Sequence, residues 1–172
     1  MKIPEIINNC NCYDGQSNKL VGVTGEVTLP EIEFLTETLS GLGTLGEIDA
    51  VAIGHTSALE QEVPFTNLYN DIFKLMKVKD GVHLVLRQSL QVKDSSTGAT
   101  QFVPIRIVMK GSFKKFTVGN AKKGGLGEPS VTIGVTYILI EINKKAKFEL
   151  DKYNNVFKID GKNMLADIKS QI

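Results

Sequence analysis

Between Leu20 and Phe73 the chain has no lysine or arginine, and between Ser95 and Gly127 it has no aspartate or glutamate. The net charge of +1 hides both gaps. Residues 1–72 hold two lysines and eleven carboxylates, a balance of −9, whereas residues 73–172 hold eighteen basic residues and eight carboxylates, a balance of +10. The opposite charges can neutralise each other within one folded unit, since mixed-sign surfaces are ordinary. They can also mark a polar molecule that stacks head to tail, acidic loop on basic loop. Unlike faces that meet repeatedly produce rings or filaments.

Other scarcities exclude whole classes. No apolar run is long enough to cross a bilayer as a helix, and Met1-Lys-Ile-Pro-Glu-Ile-Ile7 lacks the core and cleavage site of a signal peptide. Synthesis in a cytosol is expected. The only cysteines, Cys10 and Cys12, are one residue apart. A disulfide between them would close a strained ring, and with His55 and His83 they lack the spacing of a zinc finger. No metal or cofactor is expected.

Catalytic signatures are missing as well. Gly41-Leu-Gly-Thr-Leu-Gly46 matches the dinucleotide fingerprint, but acidic sequence precedes it and a strand-like Ile48–Ile53 follows, where a helix must open on the phosphates. Gly124-Gly-Leu-Gly127 beside Lys122 and Lys123 lacks the Gly-Lys-Ser/Thr of a P-loop. Glu60 and Glu62 share one face of a strand instead of facing each other across a cleft. No serine sits in a nucleophile elbow. With only two arginines, Arg87 and Arg106, and no spaced aromatic platform, base-specific nucleic-acid binding has no support. An enzyme is not expected.

What is present is mostly β. The 172 residues suffice for one domain with a core. Residues 11–19 are turn-rich, and Leu20–Leu29 reads as a strand with a bulge or close approach at Gly22 and Gly25. In Ala58–Phe65, Leu59, Gln61 and Val63 alternate with Glu60 and Glu62. Leu68, Ile72, Leu75 and Met76 fall on one face of a helix over Asn67–Lys77, which Thr66 or Asn67 can cap. Val82–Lys93 and Thr100–Val118 form a hairpin about Asp94–Gly98. Pairing residues whose numbers sum to 193 sets Leu86 against Ile107 and Leu90 against Val103. It also sets Arg87 against Arg106, near Ser89, Gln91 and Lys110, a like-charge pairing that needs hydration. This polar face is the candidate lining of a channel, or else an outer surface.

In Ser130–Asn143 the apolar set shifts from Val131, Ile133 and Val135 to Ile138, Ile140 and Ile142. Such a parity switch implies a bulge or a strand covered on both faces. Short strands follow at Ala146–Leu150 and Tyr153–Asp160, then a tail helix that Asp160 can cap, carrying Met164, Leu165, Ile168 and Ile172. The expected architecture is about eight strands in two packed antiparallel sheets, a sandwich or partly closed barrel, with one packed helix and a C-terminal helix.

One stretch fits no regular element. From about residue 30 to residue 50, Leu39, Leu42, Leu45 and Ile48 recur every third residue, with Gly41, Gly43 and Gly46 between them. Three glycines, at about 1 kcal/mol each against alanine, argue against a helix. Four large apolar residues on a loop need something to pack against. Ordering the thirteen residues from Thr38 to Ala50 costs on the order of 10–25 kcal/mol of backbone entropy. We therefore expect the loop to gain its order on a neighbouring copy. Leu39, Leu42, Leu45, Glu47 and Asp49 are the expected contacts, and Lys114, Lys115, Lys122 and Lys123 the expected basic partner surface.

The order of these features resembles the major tail tube protein family of contractile-tailed bacteriophages and phage-tail-like bacteriocins. The resemblance rests on Ile6-Ile-Asn-Asn9, on Leu20-Val-Gly-Val-Thr-Gly-Glu-Val-Thr-Leu-Pro30 with the glycine-rich loop after it, and on Thr97-Gly98. Val108-Met-Lys-Gly111, Thr136-Tyr137 and Ile159-Asp-Gly-Lys-Asn-Met-Leu165 complete it, so it covers nearly the whole chain. It implies a two-sheet β fold whose copies close into six-membered rings around a channel lined by long hairpins. It further implies that the rings stack within a contractile sheath, and that the loop after the first strand reaches the neighbouring ring. Implied partners are the chain itself, the sheath protein, baseplate and terminator proteins, and DNA where it transits. Relatives carry basic residues after Leu-Pro where this chain has Glu31, Glu33 and Glu37. The alternatives are a type VI secretion-like tube protein and a monomeric β-barrel that binds a small ligand.

Overall fold

The computed structural model describes residues 1–41, 43 and 45–171. The expected contact of Leu42, and the place of Ile172 on the tail helix, fall outside the described residues. Among the described residues, ten strands form two antiparallel sheets. Numbered in chain order, β1 (Lys2–Asp14) begins the large sheet, and β2 (Phe34–Leu39) and β3 (Ile48–Thr56) make a separate two-stranded ribbon. β4 (Leu59–Pro64), β5 (Val82–Asp94), β6 (Thr100–Thr117), β7 (Ser130–Ile142), β8 (Lys145–Asp151), β9 (Val156–Ile159) and β10 (Lys162–Asn163) follow. The large sheet runs β1-β5-β6-β7-β8-β9-β10, with β4 added to β7. It does not close into a barrel.

The β5–β6 hairpin has the expected register along its whole length, including Leu86–Ile107 and Arg87–Arg106. Its inner face supplies Leu84, Leu86, Ile107 and Met109 to the core, all nearly inaccessible to solvent. β7 contributes Val131, Ile133 and Val135, then Ile138. Its parity switch is a bulge at Thr136, where the pairing with β6 slips between Lys110–Tyr137 and Gly111–Val135. The bulge also divides β7's other edge, which pairs with β4 up to Val135 and with β8 from Tyr137 onward. Backbones approach closely here: a Cβ on Gly111 would lie 1.9 Å from the Gly134 carbonyl oxygen. β4 buries Leu59, Gln61 and Val63 and exposes Glu60 and Glu62, as its alternation requires.

Four expectations need correction. Residues 11–14, expected as part of a turn-rich segment, instead complete a thirteen-residue edge strand, β1, which carries two register shifts against β5. Leu20–Leu29 is not a strand. Gly22 takes a left-handed φ of +87°, and the segment's amides find scattered acceptors. The Leu20 amide donates to the Cys12 carbonyl, Val21 to the Asp71 carboxylate, and Thr24 to the Pro64 carbonyl. The expected eleven-residue helix is a single turn, α1 (Asn70–Phe73), with Tyr69 at its N-cap and no side-chain cap. Ile72 and Leu75 are buried as expected, but Leu68 is about half exposed. Thr66 and Asn67 bond elsewhere, to the Gly22 carbonyl and from the Gly127 amide. Finally, Asp160 does not cap the tail helix α2 (Ala166–Gln171). It sits at a φ of +49° and pairs with Lys147, while the Asn163 side chain accepts the Leu165 amide before α2.

Candidate assembly surfaces

The stretch expected as an irregular loop is a projecting β arm. Leu39 pairs with Ile48 and Thr38 with Asp49, and the Thr38 hydroxyl donates to Asp49 Oδ1 at 2.9 Å. Part of its backbone hydrogen bonding is therefore met within the chain, by the β2–β3 ladder. The turn at the tip needs left-handed φ values at Gly43 (+100°) and Gly46 (+97°), and Gly41 lies beside them. A strand follows these glycines, so the tip cannot present the helix opening a dinucleotide site requires.

The arm's root is fixed. The Phe34 and Phe157 rings meet edge-on at 5.4 Å, and the Ser57 amide donates to the Glu33 carbonyl. Lys152 Nζ donates to the Ser57 carbonyl at 2.6 Å, and burial lowers the Lys152 pKa. Beyond the root the apolar side chains have little cover. Leu35, Leu39, Ile48, Val51 and Ile53 are each more than half exposed, and Leu45 is fully exposed. Glu37, Glu47 and Asp49 are exposed among them.

The expected basic surface divides into two parts. Lys114 is engaged within the chain by Glu60. The two reach each other over Gly134, which pairs with both Glu60 and Ser112 and has no side chain to separate them. Lys115, Lys122 and Lys123 are exposed and form no ion pair among the described residues. Lys122 and Lys123 belong to a glycine-rich loop that is pinned in place. Asn67 Oδ1 accepts the Gly127 amide at 2.8 Å, and the Asn120 amide donates to the Gly127 carbonyl at 2.6 Å. The Gly127 and Glu128 amides both donate to the Thr66 carbonyl.

The structure brings Arg87, Ser89, Gln91 and Arg106 together on the sheet face opposite the core, as expected. The cross-strand arginine pair is tolerated because each guanidinium has its own partner. Arg106 Nη1 lies 2.9 Å from Glu141 Oε2, and Arg87 stacks 4.7 Å from the centre of the Tyr13 ring. Gln91 bridges the irregular part of β1: its Nε2 donates to Glu5 Oε2 at 2.7 Å, and its Oε1 accepts from Asn8 Nδ2 at 3.1 Å. Further along the same face, Lys110 lies over Tyr137, whose hydroxyl donates to Glu149. Burial, aided by the Glu149 charge, pushes the Tyr137 phenol up to about 12. Sequence reasoning missed Tyr13, Glu5, Asn8, Glu141 and Glu149. Extending the hairpin register across β7 and on to β8 would have found Glu141 and Glu149, but the double shift in β1 hides Tyr13, Glu5 and Asn8.

Cys10 and Cys12 are free thiols on β1, and burial pushes Cys12 up to about 12, so it stays protonated. No group of three or more histidine, cysteine, aspartate or glutamate side chains among the described residues could hold a metal ion. No helix among them is long and apolar enough to cross a membrane. The architecture offers surfaces for contact, with an apolar and acidic arm, a basic loop and a polar sheet face.

Comparison with known proteins agrees with this emphasis. The family model for phage tail tube protein FII matches residues 4–172. The tail tube protein of Escherichia phage P2 is 26% identical over 152 residues, covering 88% of this chain and 87% of that protein. The major tail tube protein of Serratia phage KSP20 is 27% identical over 168 residues, covering 97% and 94%.

Proposed function

We propose that this chain, which belongs to the phage tail tube protein FII family and has a structural tail tube role, not an enzymatic one, builds the inner tube of a contractile tail or of a related phage-tail-like bacteriocin. In this reading, copies made in the host cytoplasm close into six-membered rings, and the rings stack head to tail. The channel conducts DNA in a phage or acts as the puncturing core of a bacteriocin when a surrounding sheath shortens. Sheath, baseplate and terminator proteins are the other partners.

One observation carries the reading: the β2–β3 arm. It is a two-stranded ribbon with exposed aliphatic residues from Leu35 to Ile53, and Glu33 and Phe34 anchor its root. Isolated two-stranded ribbons are marginal in water, and apolar surface of this kind marks an interaction site. Leu39, Leu45, Glu47 and Asp49 are the contacts between rings in this scheme. The first part of β1's outer edge, where Ile3, Ile6 and Ile7 are exposed and no strand among the described residues pairs, supports ring closure by strand addition; only its Cys12–Asp14 end is bridged, by residues 18–20. The polar face of Arg87, Ser89, Gln91 and Arg106 then lines the channel.

Negative-stain microscopy of the purified protein at high concentration tests this. Rings and rods are expected. A strictly monomeric particle would overturn the tube reading. Leu39→Ser with Leu45→Ser removes exposed apolar groups only, so it should abolish rods and leave the monomer folded. Rods unchanged in that variant would remove the arm from the mechanism.

A further inference from the structure

The arm needs a receptor, and the structure holds a surface that complements it. Leu68, Val118, Gly119, Asn120, Ala121, Asn67 and Gly127 line an open groove of about 390 Å³. Leu68 is 52% exposed and Val118 61%, and neighbouring Leu126 is also more than half exposed. Lys122 and Lys123 follow Ala121 directly in the chain, and no acid occurs between Ser95 and Gly127. The groove therefore sets the apolar Leu68, Val118 and Ala121 beside Asn67 and Asn120, with the exposed Lys122 and Lys123 after Ala121 and one exposed acid, Glu128, after Gly127. It is also preformed: the bonds from Asn67 and Thr66 to Gly127 and Glu128 hold its floor.

We propose that this groove receives the β2–β3 arm of a second copy of the chain, with Leu39, Leu45 or Ile48 seated between Leu68 and Val118, and with Glu47 and Asp49 beside Lys122 and Lys123. The assignment rests on the tube reading and makes it specific. Three features of the molecule fit this occupant. The arm carries large aliphatic side chains and three exposed acids, and no basic residue lies anywhere from Leu20 to Phe73. The groove offers the exposed Leu68 and Val118 for an aliphatic side chain, and Lys122 and Lys123 outnumber Glu128 beside it. The arm's root and the groove also lie at opposite ends of β4, since the root leads into Leu59, which pairs with Val135. Pro64, which pairs with Ser130, leads into Phe65, Thr66 and the groove. Five residue steps of extended chain separate them by about 17 Å. Unlike patches at opposite ends of a subunit make a heterologous contact, which repeats instead of closing in a two-fold pair. Association through opposite charges also suppresses wrong partners.

The test compares rod formation by the full chain and its variants in one buffer, with circular dichroism as the check on folding. Val118→Asp and Leu68→Ser alter exposed groove positions. Each should leave the spectrum and melting temperature near those of the wild type and eliminate rods while rings remain. Lys122→Glu with Lys123→Glu should do the same, and adding Glu47→Lys with Asp49→Lys to that variant should restore rods. Wild-type rods that persist in Val118→Asp, or a charge swap that fails to restore stacking, would overturn the groove assignment and leave the tube reading standing. A wild type that never forms rods removes both. Cross-linking gives an independent readout: Leu45→Cys combined with Val118→Cys should oxidise to a ladder of covalent multimers that neither single variant forms. Absence of the ladder in rod-forming protein would also overturn the assignment.

Discussion

The Asp71 carboxylate accepts the Val21 amide at 2.7 Å and so ties α1 to an irregular segment fifty residues earlier. Asp71 is only 7% exposed, and its other oxygen meets Lys74 Nζ at 2.6 Å. The Lys74 hydrogen bond, then the Val21 amide, hold its pKa below the usual carboxylate range. Asp71→Ala removes a part-buried hydrogen bond to a charged group and should cost about 1.5–3 kcal/mol. At roughly 2–4 °C per kcal/mol for a chain of this size, calorimetry should show a melting temperature several degrees lower.

The same carboxylate predicts an acid dependence. Its pKa is lower folded than unfolded, so its stabilisation is complete above the unfolded value of about 3.9 and is lost as pH falls through the folded value. Urea midpoints measured from pH 6 to pH 3 should fall more steeply for the wild type than for Asp71→Asn. Parallel curves would show that Asp71 titrates alike in both states.

Gly111 should tolerate no side chain. Its Cβ would overlap the Gly134 carbonyl in the middle of the sheet, where neither backbone can retreat. Gly111→Ala should destabilise by about 3 kcal/mol or more, the range for overpacking a closed site, or yield insoluble protein. Gly25→Ala meets nothing within 4 Å and should stay within about 0.5 kcal/mol of the wild type. Similar melting temperatures for the two variants would contradict the close approach.

The arm offers a protease assay. Trypsin has no site from Leu20 to Phe73, whereas Glu37 and Glu47 are exposed on the arm. A glutamate-specific protease should cut there in the unassembled chain, and rods should resist it. Equal cleavage before and after assembly would place the arm outside the contact.

Channel lining can be read by size exclusion. Ser89 lies on the polar face beside Arg87 and Gln91. A Ser89→Cys variant should react with a small thiol reagent in both monomer and rod, and with a bulky protein-linked maleimide only in the monomer. Labelling of intact rods by the bulky reagent would put this face outside.

The β5–β6 hairpin was legible because Leu84, Leu86, Leu90 and Val92 on one strand and Val103, Ile105, Ile107 and Met109 on the other recur at every second residue with only Gln88 out of pattern, and its turn at Asp94–Gly98 fixes the register. β4 and the bulge in β7 were legible for the same reason, since a period of two exposes any slip. β1 was not, because Pro4, the extra residues in its two shifts and the run of asparagines blur its pattern. Leu20–Leu29 has strand-like residues, but Gly22 turns the chain, and tertiary acceptors at Asp71 and Pro64 take its amides. The arm's composition was plain, while its form was not. Glycines confined to the tip made the whole stretch look irregular, though Thr38–Asp49 and Leu39–Ile48 still pair. For the basic surface, counting charges could not show that Lys114 is taken by Glu60 on its own molecule.

β4 has a mechanical meaning in a tube stacked as proposed. Load passed along the tube would enter each subunit at the arm's root and leave near the groove, running along β4 between them. The six residue pairs that join β4 to β7, from Leu59–Val135 to Pro64–Ser130, lie across that direction. They would be strained together in shear and not opened one after another like a zip. Each ring would then pass thrust to the next through a laterally braced strut, and yielding would begin at the side-chain contacts between rings before the sheet itself gave way.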